Sequence, residues 1–325
     1  MFWKKKKKVV THCGSFHADD VFACATLALY FKKNNIKYSL ERTRDEERIT
    51  KADYVFDVGG IYDPSINRFD HHQPGGAGKR ENDIPYAAFG LVWKTYGPIL
   101  CENNEEIIND IDRRLVQPID AIDNGISITE PSDCGLYDYG IHGIISAYQN
   151  TWKEGLDTKK QFESFMNLVD FFEGILEREI ERSAHRIEMM ELIEDAYQKA
   201  ENKEIIEIPY HVGVGALVQV LDKYKEVMYV VSRSNGNWKA LAMRKSPCTF
   251  ENRKSMPENW GGKRGEELQE ITGVSDAVFC HNALFLAVAK SRLGAWQLAE
   301  LALIEKEPSQ LGFGFFFMKL RMIAK

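Results

Sequence analysis

The sequence contains no Cys-x-x-Cys pair; its six cysteines (Cys13, Cys24, Cys101, Cys134, Cys248 and Cys280) are scattered along 325 residues. This argues against zinc-ribbon spacing and a disulfide framework, and reads as reduced thiols in a cytoplasmic protein. No apolar run approaches the roughly 20 residues of a membrane span, so no membrane partner is expected. Positive charge is not in excess: the formal net charge is −6. Any nucleic-acid binding must therefore rest on local basic patches. The lysines at 4–8 precede only Val9-Val10 before polar residues resume, so the apolar core of a secretory signal is missing. They read as a solvated extension, with a phosphate-attracting arm as the second reading. No internal repeat or low-complexity segment is apparent.

Hydrophobic residues make up 44% of the chain and charged residues 28%, the balance of a soluble globular protein. The length is enough for two ordinary domains. Short apolar segments at 9–11, 37–43 and 54–58 read as strands, and 20–33, 44–51, 87–96 and 105–120 read as helices. Strand and helix alternate, which predicts a doubly wound α/β domain on a mainly parallel sheet. A long helix is expected over 162–200, with Phe165, Leu168, Val169, Phe172, Leu176 and Ile180 as a packing stripe. It closes a first domain over 1–200 and joins it to a second, smaller α/β domain over 203–325. There, strands are expected at 204–208, 215–220, 227–232 and 238–243, with Asn235-Gly236 as a hairpin turn. Helices follow near 265–269 and 292–303. The tail carries Phe315, Phe316 and Phe317 in a row and is expected to dock on the body or on a partner subunit. A homodimer through that tail or the long helix is one arrangement open to the chain.

Four acid and imidazole clusters stand out, each expected at or near a strand end. The first is Thr11-His12-Cys13-Gly14-Ser15-Phe16-His17-Ala18-Asp19-Asp20, the second Asp57 in Val55-Phe56-Asp57-Val58-Gly59-Gly60. The third is Asp70-His71-His72; the fourth is Asp120-Ala121-Ile122-Asp123-Asn124-Gly125. Ligands of open α/β sheets collect at the carboxyl ends of strands. Each residue alone has an ordinary reading: a packed His12, a helix-capping Asp19, turn-forming Asp57 and Asp123. Together they match what a pair of divalent ions requires, a carboxylate able to span both and several further ligands. Mixed His/Asp ligation suits Mn²⁺ better than Mg²⁺ and leaves Zn²⁺ and Co²⁺ open. The glycine-rich stretch 73–83 reads either as a surface loop or as a lid whose Lys79 and Arg80 meet phosphate.

The order His12, His17-x-Asp19, Asp57, Asp70-His71-His72, Asp123 resembles the DHH phosphoesterase superfamily. The phrases Asp57-Val58-Gly59-Gly60-Ile61-Tyr62-Asp63 and Asp120-Ala121-Ile122-Asp123-Asn124-Gly125 point closer, to the exonuclease-like MYG (melanocyte proliferating gene) family. So do Phe250-Glu251-Asn252-Arg253, Met256-Pro257-Glu258-Asn259-Trp260-Gly261-Gly262 and Lys290-Ser291-Arg292-Leu293-Gly294-Ala295. The resemblance covers most of the chain. Cys13, Ala18 and Asp20 stand where that family more often has Asn, Cys and Glu; none is an expected ligand.

The resemblance implies a divalent-metal-dependent phosphodiesterase, a 3′→5′ exonuclease on RNA or short oligonucleotides. It implies that His12, His17 and Asp57 hold one ion, and that Asp19, Asp57, His71 and Asp123 hold the other. His72 would contact the scissile phosphate or donate a proton to the leaving oxygen, and Asp70 would orient His71. With the resemblance, Arg253, Lys263, His281, Lys290 and Arg292 of the second domain are expected to bind substrate; without it, they read as solvated surface residues. A small-nucleotide phosphatase or pyrophosphatase, and a non-catalytic metal-stabilised binding protein, are the alternatives.

Overall fold

A computed structural model describes residues 6–129, 134, 136, 139–155 and 157–305. The aromatic tail and the first lysines lie outside the described residues. The chain divides into two compact units, Met1–His185 and Arg186–Lys325.

The first unit runs β1 (Lys7–Thr11), α1 (Ala18–Lys33), β2 (Tyr38–Arg42), α2 (Glu46–Thr50), β3 (Tyr54–Phe56), β4 (Tyr62–Asp63) and β5 (Arg68–Phe69). Then come α3 (Ala88–Leu100), α4 (Glu105–Ile111), α5 (Gln117–Asp123), α6 (Ile141–Ala147) and α7 (Thr158–Lys199). A π-helical stretch, Asp112–Val116, joins α4 to α5. The boundary between the units falls inside α7.

The sheet order is β2-β1-β3-β5-β4. All pairs are parallel except β4 with β5. Burial explains why β1 and β3 read as apolar runs: Val9, Val10, Val55 and Phe56 are all buried. Helix α1 is buried almost throughout, packing Phe22 against Phe89 of α3 and Phe172 of α7 at centroid distances of 5.1 and 4.5 Å. Its alanines allow that close packing at no cost in helix propensity. From β1 the chain steps one way to β2 and then back to the other side for β3. The strand order therefore reverses beside β1, and the crevice at the carboxyl ends of β1 and β3 is where such sheets bind ligands.

The 73–86 loop is tied down rather than free. The Arg80 side chain is 7% exposed and ion-pairs with Asp112 at 2.7 Å and Asp120 at 2.8 Å. It also lies over the Tyr86 ring. Arg80 is thus an anchor, not a lid cation, and Lys79 pairs with Asp83. Helix α3 comes so near that a Cβ at Gly90 would sit 1.9 Å from an Asp120 oxygen.

The second unit runs β6 (Ile205–Ile208), α8 (Val214–Leu221), β7 (Tyr229–Ser234), β8 (Asn237–Ala242), α9 (Gly265–Thr272), β9 (Ala277–Cys280), β10 (Leu286–Ala289) and α10 (Arg292–Ile304). Its sheet order is β6-β7-β8-β10-β9, with β6 and β7 parallel and the other pairs antiparallel. The expected strand at 215–220 is instead α8. Asn235 and Gly236 both have positive φ (46° and 81°), the conformation of a type I′ hairpin turn. Among the described residues no helix is long and apolar enough to cross a membrane.

Candidate metal centre

Three adjacent parallel strands deliver the first residues. His12 follows β1, Asp57 follows β3, and Asp70-His71-His72 follow β5. His17, Asp19 and Asp20 stand at the start of α1. Asp123, expected near a strand end, is the last residue of α5. A carboxylate at that negative end of a helix gains from a nearby cation.

Asp57 is the meeting point. It is 3% exposed and held at φ +54°, in the left-handed region. Its Oδ2 lies 3.1 Å from His12 Nε2. Its Oδ1 lies 3.4 Å from His71 Nε2 and 3.6 Å from His72 Nδ1. The two oxygens of one carboxylate thus face two different groups of ligating atoms. His12 Nε2 also meets Asp20 Oδ2 at 3.0 Å, and His71 Nε2 meets Asp123 Oδ2 at 3.3 Å. Donor atoms within ion-binding reach of one another form three groups: Asp57 with His71 and His72, His12 with Asp20 and Asp57, and His17 with Asp19 and Asp123.

The charges are arranged for a cation that binds from outside the protein. Neither oxygen of buried Asp19 has a hydrogen-bond donor, nor do Asp57 Oδ1 and His71 Nε2 have partners in hydrogen-bond geometry. Orphaned buried polar atoms of this kind call for an explanation. Burial pushes the Asp19 carboxyl well up, and the nearby Asp57, Asp123 and Asp20 push it further. Asp20 is raised by burial against the pull of His12. Burial alone would lower His12, but Asp20 and Asp57 outweigh it and raise the imidazole to about 10. His71 is raised in the same way by Asp57 and Asp123, while His12 and His71 together hold Asp57 low despite its burial. Without metal, protons on imidazoles offset the carboxylates. Divalent cations can replace them, so this donor set fits hard or borderline ions such as Mn²⁺.

Asp70 is used differently from its expected role. Its Oδ1 accepts from the backbone N–H groups of His71 and His72 and contacts His72 Nδ1 at 2.7 Å. Its Oδ2 accepts from Gly60 N. Asp70 therefore orients the ring of His72 and only the backbone of His71. His72 is 62% exposed, the most open imidazole of the Asp57–His71–His72 group.

Asp20 joins the His12 group although it was not expected to. It is the third residue of α1, where its Oδ1 accepts from His17 N at 2.8 Å. In sequence that spacing reads as a capping box. Behind it, the Arg42 guanidinium lies 4.0 Å from Asp20 and over the Phe16 and Phe165 rings.

The second-unit candidates are not gathered in the same manner. Arg253 is 5% exposed at its side chain. It donates to the carbonyls of Leu221, Tyr224, Val227 and Arg244, so its guanidinium is consumed in binding loops together rather than offered to substrate. Arg292 is ion-paired with Glu207 at 2.6 Å, and Lys263 pairs with Glu267 at 3.4 Å. His281 Nδ1 accepts from Ala283 N, and its ring rests 4.4 Å from that of Phe285. Lys290 is exposed. The Gly261-Gly262 backbone is covered rather than open: a Cβ at Gly262 would meet Asn282 Oδ1 at 2.2 Å.

The sequence matches the family model MYG1_exonuc, described as an uncharacterised protein family (UPF0160), over residues 8–303. The MYG1 protein of Dictyostelium discoideum is 30% identical over 316 residues, which cover 90% of this chain and 94% of that protein. The MYG1 exonuclease of Homo sapiens is 28% identical over 331 residues, 92% of this chain and 86% of that one. Among solved structures, exonuclease RecJ bound to manganese shares 12% identity over 93% of this chain and 92% of its own, at a TM-score of 0.27.

Proposed function

This chain belongs to the MYG1 exonuclease family, and we propose that it is a divalent-metal-dependent phosphodiesterase, a 3′→5′ exonuclease acting on RNA or short oligonucleotides. The observation that carries this reading is Asp57, whose Oδ2 faces His12 while its Oδ1 faces His71. A single carboxylate so placed can join two ion sites. Asp57, His12, Asp20 and His71, together with the His17–Asp19–Asp123 group, would hold the ions. Bound divalent cations supply Lewis acidity, lowering the pKa of a water nucleophile and offsetting charge on the phosphoryl oxygens.

The chain's own groups do the rest. Asp70 fixes the His72 ring through Nδ1 at 2.7 Å, leaving Nε2 outside that contact. A protonated His72 can then donate from Nε2 to the leaving oxygen, a step whose removal typically costs 10²–10⁴-fold. The buried faces of Asp19, Asp20 and Asp57 keep water from competing with the ligand oxygens. We place this activity in the cytoplasm, whose reducing conditions suit the free thiols of Cys13, Cys24, Cys101, Cys248 and Cys280.

A panel of end-labelled RNA, DNA, dinucleotides and pyrophosphate, run in Mn²⁺ and in Mg²⁺, tests the reading. Mononucleotides released stepwise from the 3′ end of RNA are expected. Turnover of pyrophosphate alone would replace the exonuclease with a small-molecule phosphatase. No turnover of any phosphate ester would leave a metal-stabilised binding protein.

A further inference from the structure

Between α6 and α7 the chain makes a turn pinned by its own hydrogen bonds. Asn150 Nδ2 donates to the carbonyls of Gly155 at 3.2 Å and Asp157 at 3.1 Å. The N–H groups of Glu154 and Gly155 both donate to Thr151 O, and Thr151 N donates to Glu154 Oε2 at 2.7 Å. This fixed turn displays Trp152 with its side chain in solvent, 86% exposed. The Lys153 ammonium stands 5.5 Å from the centroid of that ring. The turn is fastened beside the metal centre on both sides. Before it, Gln149 Nε2 donates to the carbonyl of Phe16, the residue preceding His17. After it, Thr158 and Gln161 line a hollow together with Cys13, the residue following His12. Only three residues separate Trp152 from Gln149, a reach of at most about 11 Å. The exposed indole thus stands at the rim of the metal centre.

We propose that Trp152 stacks on a base of the single-stranded oligonucleotide whose end lies in the metal centre. The proposal rests on the phosphodiesterase reading and adds how the centre holds a nucleotide chain rather than a small ester. The surroundings of the ring choose the occupant. Asn150, Thr151, Lys153, Glu154 and Gly155 give it polar neighbours, and the other exposed aromatic of this segment is Tyr148, 44% exposed. A protein partner needs a contiguous apolar patch of several hundred Å², whereas a nucleobase needs one accessible aromatic face. Lys153 sets a positive charge beside that face, the combination with which single-stranded nucleic acid is bound: cations for the phosphates, rings for the bases. The hydrogen bonds of the turn hold its backbone in place before binding, so little further ordering opposes the contact. Stacking engages the π-face that every base has. It therefore binds without discriminating among sequences, as an enzyme that shortens arbitrary chains from one end requires.

Fluorescence anisotropy of the full chain with a 5′-labelled RNA octamer tests this, the octamer being phosphorothioate-linked so that it survives in Mn²⁺. Its bases are removed one position at a time. In wild type, loss of the base at one internal position should weaken binding about tenfold or more. Trp152→Ala should bind the intact octamer about tenfold or more weakly and should no longer respond to that base, because the two changes remove the same contact. Trp152→Phe, which keeps a flat ring, should retain most of the affinity and the response. The Tm of Trp152→Ala should match wild type, since the ring is exposed, so the loss of affinity is not unfolding. Failure of wild type to bind the octamer, wild-type affinity in Trp152→Ala, or an undiminished response of that variant to the same base overturns the proposal. Hydrolysis of bis(p-nitrophenyl) phosphate by wild type is read separately. That ester carries no nucleobase, so its failure to react counts against the phosphodiesterase reading and not against base stacking.

Discussion

Asp57→Asn changes one atom and removes the feature on which a two-ion site depends. Asn tolerates the left-handed backbone that Asp57 adopts (φ +54°), so the variant should fold. Its amide has one acceptor oxygen, and so can serve the His12 side or the His71 side but not both. In wild type, an ion present at about a hundredfold excess over its Kd stabilises the fold by about 2.7 kcal/mol. For a unit the size of Met1–His185, where about 1 kcal/mol moves Tm by roughly 2–4 °C, this amounts to a rise of about 5–10 °C. In Asp57→Asn, loss of the common ligand should weaken binding about a hundredfold, leaving a rise under about 2 °C. The chelated proteins should differ less. The variant loses the pairing of Asp57 with His12 and His71, but Asp19 is relieved of a neighbour that raises its pKa. The assay is thermal melting with EDTA and with Mn²⁺, beside turnover of a phosphodiester. A variant that keeps both the wild-type rise in Tm and its turnover refutes the bridging role.

Three further outcomes follow from the geometry. His72→Ala should lower kcat about 10²-fold or more while keeping the Mn²⁺-induced rise in Tm; loss of that rise would make His72 a ligand instead. The chelated protein should lose stability as pH rises from 6.5 toward 10. His12 is raised to about 10 in the fold, so its contribution is complete below the unfolded value near 6.5 and vanishes through the folded one. Mn²⁺ affinity should rise over the same window as the proton is displaced, and proton release measured on binding checks both. Arg253→Ala should destabilise the second unit by roughly 3 kcal/mol, since four carbonyl acceptors lose one charged donor. Its KM for oligonucleotide, measured well below the melt, should not change; a stable variant with a tenfold higher KM would restore the substrate role.

The sequence made the first unit legible where burial and period agree. Val9, Val10 and Val55 are apolar because the parallel sheet is covered on both faces, and three of the four acid and imidazole clusters follow its strands, while the fourth, with Asp123, ends a helix. What escaped depends on tertiary approach. Asp20 at the third position of α1 looks like a capping residue, and it is one through Oδ1. Only the fold brings Oδ2 to His12. Arg80 and Arg253 read as phosphate cations because sequence does not show that Asp112, Asp120 and a ring of carbonyls await them. Val214–Leu221 is an eight-residue apolar run, too short for period to separate helix from strand. Strands β4 and β5 are two residues each and leave no pattern to find.

Electron paramagnetic resonance of the full chain during titration with Mn²⁺ reaches the central claim most directly. Two ions sharing the Asp57 carboxylate should couple, giving a binding stoichiometry of two and a spectrum that departs from isolated Mn²⁺ as the second site fills. Asp57→Asn should abolish the coupling. A wild-type protein that binds one ion, or two with the signal of isolated Mn²⁺ throughout, contradicts the account.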